Sequence, residues 1–422
     1  MEMNEADAGA LARESGADAL ELYFSSSESV SVEFSSGELR KRSFISEDGV
    51  GVRALKAGKV GFSSTNAVEK AGETAWAAVK AASVSPATEF SFAGPAKCPS
   101  MKLVDKKIAE LDEGELGESI REALDAARQY AEPLSAHLEF SNEKEGIRNS
   151  GGLEAECPGT GCSFYLEATK GGFLGFSYYS SYRMPESFSA LGEEAGEMAA
   201  AMEGAKPIES GLYDVVFSVE ALSQMLGLLM FHFSSEQKRR GISRLEEGAE
   251  MFDPKLTVKE SLLAEGSSRW PFDAEGVPAQ ENMLIEGGVV KRLLFDRYTA
   301  SRMGRGEQGC CTRASHDAPP VPGYSNLVVS PGKGFDGDAK LLRVESFHGM
   351  HTASGPEGEF GVEVDIAFLA EKGEKRPATD LLLTGNVFNL FKNISGIGKK
   401  SECKSDVTAP EIVFSGVRVV GK

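Results

Sequence analysis

The stretch SGELRKRSFISEDGVGVRALKAGKVGFS, residues 36–63, meets a second version of itself in SGGLEAECPGTGCSFYLEATKGGFLGFS, residues 150–177. At a constant offset of 114, without a gap, Ser36, Gly37, Leu39, Ala54, Lys56, Gly58, Gly61, Phe62 and Ser63 face Ser150, Gly151, Leu153, Ala168, Lys170, Gly172, Gly175, Phe176 and Ser177. Apolar positions correspond as well, Val50, Val52 and Val60 against Phe164, Leu166 and Leu174, in the period-two alternation of half-buried strands. Lys56-Ala57-Gly58-Lys59 and Lys170-Gly171-Gly172-Phe173 both supply the positive-φ residue that a tight hairpin turn needs. Each copy therefore reads as a short β-meander.

Helical patterns flank both copies: NAVEKAGETAWAAVKAA follows the first, and LGESIREALDAARQYA and ESFSALGEEAGEMAAAM bracket the second. The expected organisation is a duplicated α+β unit over 1–90 and 105–205, joined by a Pro-containing linker at 91–104. Residues 206–422 read differently. GLYDVVFSVEALSQMLGLLMFHF is a strand running into a helix, and LTVKES, NMLIEGGVVKRLLFD, SNLVVSPG, EFGVEVDIAFLAEKGEKRPATDLLLTG and APEIVFSGVRVVG are short strands with turn signals. Gly287-Gly288 is a hairpin turn, and NVFNLFKNI a short helix. The fold class is thus α+β, with a mainly antiparallel, barrel-like or two-layer third region carrying one prominent helix.

A net charge of −19 over 422 residues opposes binding to nucleic-acid phosphates or anionic membrane surfaces. The amino-terminal MEMNEADAGALARESGADAL lacks a basic segment and an apolar core, and no run of 18 apolar residues occurs, so a cytoplasmic protein is expected. The six cysteines, at 98, 157, 162, 310, 311 and 403, form no Cys-x-x-Cys pair and read as reduced thiols.

Candidate chemistry begins in GLLMFHFSSEQKRRG, residues 227–241, where a helical wheel sets Leu222, Leu226, Leu229 and Phe233 in one stripe and places His232 and Glu236 together at its border. Such a pair shares a proton, binds a metal with further ligands, or forms a boundary contact; two ligands do not make a catalytic zinc site. His348 and His351 form a His-x-x-His in a glycine-rich connection, with Glu345 or Glu357 as possible third ligands or with no role beyond a polar loop. Asp273 and Glu275, before Gly276-x-Pro278, read as turn chemistry in preference to an acid/base pair. Cys310-Cys311 has only His316 close in sequence, and GKGFDG and GRGEQG lack the strand and helix of a phosphate loop. None of the five histidines is followed by Glu, so the His-Glu helix of metalloproteases is missing. No catalytic residue and no cofactor is expected in this chain, and His232, Glu236, His348 and His351 are its metal candidates.

Four stretches carry a resemblance to a known family: ELRKRSFISEDGVGVRALKAGKVGFSSTN, FDAEGVPAQENMLIEGGVVKRLLFDRYTASRMG, HGMHTASGPEGEFGVEV and LLLTGNVFNLFKNISGIGKKSECKSDVTAPEIVFSGVRVVG. The sequence resembles the TldD/PmbA family, the so-called modulators of DNA gyrase, and its PmbA (TldE) branch more closely than its TldD branch. The resemblance implies a two-subunit cytosolic metalloprotease, whose TldD-like subunit holds zinc through a His-Glu-x-x-x-His helix and a cysteine near the C-terminus. Here GLLMFHF stands where that helix is expected, Ile397 stands where the cysteine is expected, and Cys403 lies several residues further on. The implied role is a non-catalytic subunit that pairs with a zinc-bearing TldD-like chain and helps hold peptide or unfolded-protein substrates. The alternative is a stand-alone homodimeric scaffold without peptidase activity.

Overall fold

A computed structural model describes residues 7–35, 37–110, 113–306, 309–337 and 339–422. Ser36 of the repeat and Glu307-Gln308 of GRGEQG lie outside the described residues. The first copy runs α1 (Ala8–Ser15), β1 (Ala19–Ser35), β2 (Glu38–Lys56), β3 (Lys59–Thr65) and α2 (Ala71–Ala82). After a single-turn helix α3 (Lys106–Ala109), the second runs α4 (Glu113–Ala127), β4 (Glu132–Asn149), β5 (Glu154–Lys170), β6 (Phe173–Ser181) and α5 (Phe188–Ala201). The repeat is therefore helix, meander, helix in both copies.

The two meanders share one antiparallel sheet, in the order β3-β2-β1-β4-β5-β6. The central strands β1 and β4 pair from Glu21↔Asn149 to Ser35↔Ser135, so the sheet is symmetric about its middle. The sequence identities mark where helices lie on it. Ala54 pairs with Gly61 and Ala168 with Gly175. A Cβ on Gly61 would stand 2.0 Å from the Ala78 carbonyl oxygen of α2, and one on Gly175 2.2 Å from the Ala199 nitrogen of α5. Only glycine lets helix and strand backbones approach so closely. The hairpin turns also match: Ala57 and Gly58 have φ 48 and 73, Gly171 and Gly172 φ 58 and 85.

The third region contains β7 (Lys206–Pro207), β8 (Gly211–Phe217), α6 (Val219–Phe233), α7 (Ser235–Arg239), β9 (Val258–Ser261), β10 (Glu281–Glu286), β11 (Val289–Val290) and α8 (Arg297–Arg302). It continues with β12 (Cys311–Thr312), β13 (Val321–Pro322), β14 (Leu327–Val329), β15 (Leu341–His348), β16 (Glu359–Glu371), β17 (Glu374–Thr379), β18 (Leu381–Asn386), α9 (Val387–Lys392), β19 (Ile394–Lys404) and β20 (Val407–Val420). Strands β8, β15, β16, β18 and β20 pair in a closed ring, which confirms the barrel. Leu222, Met225, Leu226, Leu229 and Phe233 of α6 share one core with Val215, Val344, Val362, Leu383 and Phe414 of those strands. The Gly287-Gly288 hairpin forms as expected, but its second arm stops at Val290. Beyond it Leu294 bonds the end of α6 instead, its N–H donating to the Phe233 carbonyl (2.8 Å) and its carbonyl accepting from the Ser235 N–H (3.0 Å).

Candidate functional site

Helix α6 starts at Ser218, whose Oγ accepts from the Ala221 N–H (3.1 Å) and donates to the Glu345 carbonyl (2.8 Å). It ends at Phe233, because Ser234 is extended (φ −63, ψ 120). The stretch 227–241 is thus two helices, and the expected contact between His232 and Glu236 does not form. His232 is completely buried on α6, 4.7 Å from the Phe388 ring and 5.3 Å from the Phe231 ring. Its Nδ1 accepts from the Arg244 N–H at 3.4 Å, and its Nε2 makes no hydrogen bond. Burial, followed by the nearby Arg244 charge, lowers its pKa to about 4, so the ring is neutral. Glu236, on α7, instead pairs with Arg239 (2.7 Å) and Arg240 (3.3 Å), which depress its pKa. The helical periodicity hid this break; the Ser234-Ser235 pair was its only local signal.

The other candidates separate too. His348, exposed at the end of β15, reaches Asp365 (2.6 Å) and Glu363 (3.3 Å), and Asp365 raises its pKa. His351 sits on a one-turn helix, Met350–Thr352. Glu357 bonds Ser354, while Glu345, its pKa raised by burial, lies near α6. Among the described residues no three His, Cys, Asp or Glu side chains converge as a metal-binding set. Zinc does not fit the residues around α6 either: the free nitrogen of His232 is enclosed among aromatic rings, Ile397 is buried in the core, and Cys403 is exposed on β19, 3.6 Å from the Glu265 carbonyl.

The convergence of polar groups lies elsewhere, where the third region covers the first copy. Asp273 caps a turn as expected, its Oδ1 accepting from the Glu275 and Val277 N–H groups, both at 2.9 Å, with Gly276 at φ 76. What sequence reasoning missed is Glu275. Fully buried, it accepts from Arg53 Nη1 of β2 (2.7 Å) and from the Arg297 N–H (2.7 Å) at the start of α8. Arg53 also grips Glu21 of β1 through two bonds of 2.8 and 2.7 Å, and Arg313 holds the same carboxylate (2.6 Å) while donating to the Ala274 carbonyl (3.0 Å). Burial works against the charge on Arg53, but Glu21 and Glu275 outweigh it and raise its pKa. Two arginines and two glutamates thus compensate one another inside a buried seam. The strand pattern gave no warning, since Arg53 sits on the face opposite Val52 and Ala54, which reads as solvent.

Beside this seam a cavity of about 250 Å³ lies between the six-stranded sheet and the third region, walled by Tyr23, Glu145, Trp270, Asp273, Cys311 and Arg313 among others. Burial raises the carboxyls of Glu145 and Asp273 to about 7, with Glu143 adding to the first shift and Glu275 to the second. Both are poised to exchange protons near neutrality. Burial also drives the Cys310 and Cys311 thiols upward, so they act as donors, Cys311 to Asp273 Oδ2 (3.2 Å) and Cys310 to Glu260 Oε2 (3.6 Å). His316 does not activate them: it faces Ser25 and Asn66, at 3.1 Å each, and packs where any side chain on Gly49 would stand. All six cysteines are free.

Three family profiles match in succession: PmbA/TldA metallopeptidase domain 1 over residues 20–82, the central domain over 104–203, and the C-terminal domain over 210–421. The chain belongs to the PmbA/TldD family. The two copies of the repeat carry the first and central family domains, and α6 and the barrel lie in the C-terminal one. An uncharacterised protein of Methanocaldococcus jannaschii is 26% identical over 87% of this chain and 88% of its own length. A protein of Methanothermobacter thermautotrophicus named a metalloprotease is 26% identical over 83% of this chain and 81% of its own length. TldE from Thermococcus kodakarensis shares the fold, with a TM-score of 0.87, 22% identity, and coverage of 98% of this chain and 99% of that one.

Proposed function

We propose that this chain is the non-catalytic, PmbA/TldE-like subunit of a TldD/TldE-type zinc metalloprotease that processes peptides or unfolded proteins. Its partner is a TldD-like chain that carries the zinc. The observation behind this reading is α6: the helix at the start of the family's C-terminal domain spends its faces on packing, and its one histidine is neutral and enclosed. Ile397, where the resemblance expects a metal cysteine, fills the same core. The chain contributes by enclosing the cleavage chamber and by holding extended substrate through backbone pairing, which is indifferent to sequence. The setting expected for it is the cytoplasm; among the described residues no helix is long and apolar enough to cross a membrane.

The test is co-expression with a TldD-like chain from the same genome and an assay on a denatured model protein. Activity that requires both chains supports the reading. Full activity of the TldD-like chain alone, or zinc-dependent activity of this chain alone, sinks it.

A further inference from the structure

The cavity beside the seam is lined by acids that no cation of the chain neutralises. Asp273 and Glu260, 4% and 3% exposed, stand in its wall with Glu145, and the exposed Glu143, Ser268 and Gln280 mark its mouth. Among the described residues none of the four carboxyls is in an ion pair. Asp273 accepts from two backbone N–H groups and the Cys311 thiol, and Glu260 from Asn282 Nδ2 (2.7 Å), Ser325 and the Cys310 thiol. Glu143 accepts from Ser141 Oγ (2.7 Å), and Glu145 has the Tyr23 hydroxyl beside it. The two arginines of the wall are engaged already. Arg313 bonds Glu21 (2.6 Å) and the Ala274 carbonyl (3.0 Å), and Arg269 bonds Glu265 (2.6 Å) and the Tyr182 hydroxyl (3.3 Å). Buried carboxylates are ordinarily met by a cation, so this wall is complementary to a positive charge from outside the chain.

Shape narrows the class of cation. No three of these carboxyls converge as ligands of one metal ion; they are distributed round the wall. Distributed acceptors suit a cation with N–H donors on several sides. Glu143 and Glu145, two residues apart on β4, share one face of the sheet. Gly159 pairs with Glu143 across β4 and β5, and the Trp270 ring lies 2.8 Å from where a Cβ on that glycine would stand. The indole therefore lies beside Glu143, and among the described residues no cation covers it, whereas the Tyr23 ring is taken by the Arg313 guanidinium at 4.5 Å. A planar cation stacked on an indole gains cation–π attraction while its N–H groups reach carboxylates at its rim. At about 250 Å³ the cavity is smaller than the roughly 300–1,000 Å³ of sites for drug-sized ligands, and matches a group the size of one amino-acid side chain.

We propose that this cavity binds a small organic cation bearing a guanidinium group, stacked on Trp270 and held by Glu143 and Glu145, with Asp273 and Glu260 adding negative charge around it. The inference does not rest on the peptidase reading. Trp76, 58% exposed on α2, and Trp270 are the two tryptophans of the chain, so Trp76→Phe leaves Trp270 fluorescence as a reporter of the cavity. The full chain in this background is titrated with agmatine and with N-acetylarginine amide. N-acetylcitrulline amide, which keeps the shape of the arginine probe without its charge, and propionate are the controls. Both guanidinium probes are expected to give a saturable change with half-saturation near or below about 1 mM, and the controls none. Glu143→Gln and Glu145→Gln, each changing one charge without changing size, should each weaken binding by about tenfold or more. Affinity should also rise from pH 6 to pH 8, because the bound cation displaces protons from Glu145, which faces Tyr23, Glu143, Cys157 and Arg313, and from Asp273, which faces Cys98, Glu275, Cys310 and Cys311. Tighter binding of N-acetylarginine amide supports the proposal with an arginine residue of a peptide as the source of the group, and tighter binding of agmatine supports it with a free amine as the source. No saturation by either guanidinium probe up to about 20 mM overturns the proposal, as does an equal response to either control, full affinity in both glutamine variants, or affinity that falls as pH rises.

Discussion

The two copies of the repeat have the same elements in the same order, and both pack on the third region. Only the first meets it through a buried charge network; the second meets it mainly through apolar contacts such as Ile147 and Leu153 with Phe272 and Val277. Glu21 and Arg53 are cross-strand partners on β1 and β2; at the offset of 114 their counterparts, Ser135 and Glu167, are cross-strand partners on β4 and β5. In the first copy the pair is sealed under the third region and completed by Glu275 and Arg313. In the second it is a half-buried contact of 3.3 Å between Ser135 Oγ and Glu167. The lesson concerns duplication: what stays common is the fit between helix and sheet, and what diverges is the opposite face, because it meets different neighbours.

The largest effect should come from breaking the seam. Arg53→Ala leaves Glu21 and Glu275 buried without their shared cation, and should cost about 3–5 kcal/mol in urea unfolding. Glu167→Ala at the equivalent place should change stability by no more than about 0.5 kcal/mol. Equal losses would erase the distinction between the copies. The shared feature predicts the opposite pattern. Gly61→Ala and Gly175→Ala each press a methyl against helix backbone and should each cost about 2–3 kcal/mol, with matching values in the same unfolding experiment.

A pH effect should also belong to the seam. The carboxyl of Asp273 is raised to about 7 in the folded chain, above its ordinary 3.8, first by burial and then by Glu275. The folded state therefore binds the extra proton. This contribution is fully present below the unfolded value and is lost as pH rises through 7, at about 1.4 kcal/mol per pH unit between 5 and 7. Comparing unfolding of the wild type and Asp273→Asn over that range isolates it, since the variant should lack this slope. The smallest effect refines the comparison. Ala57 occupies a left-handed position (φ 48) where the second copy has Gly171, so Ala57→Gly should stabilise by about 0.5–1 kcal/mol and raise the melting temperature slightly.

Much of the fold was legible because it rests on local rules. Turn glycines at Gly58, Gly172, Gly287 and Gly288 announce hairpins, alternating Val50 and Val52 announce a half-buried strand, and the stripe of α6 announces a core helix. The reading failed where two neighbours were required. His232 and Glu236 looked like a pair because a wheel assumes one continuous helix, and Ser234 ends it. The buried seam escaped notice because Arg53 and Glu275 are 222 positions apart, and a charge in a strand reads as exposed until something covers it. The raised carboxyls of Glu145 and Asp273 have the same origin, for burial is a property of the assembled chain and of no single segment.

By itself, the sequence determined the duplicated meanders, the strand-to-helix start of the third region and the family motifs, all set by short-range periodicity and backbone conformation. Tertiary structure alone decided that the meanders merge through β1 and β4 and that Arg53 is buried between Glu21 and Glu275. Those outcomes depend on which surfaces meet, and desolvation and backbone pairing act only once they have met.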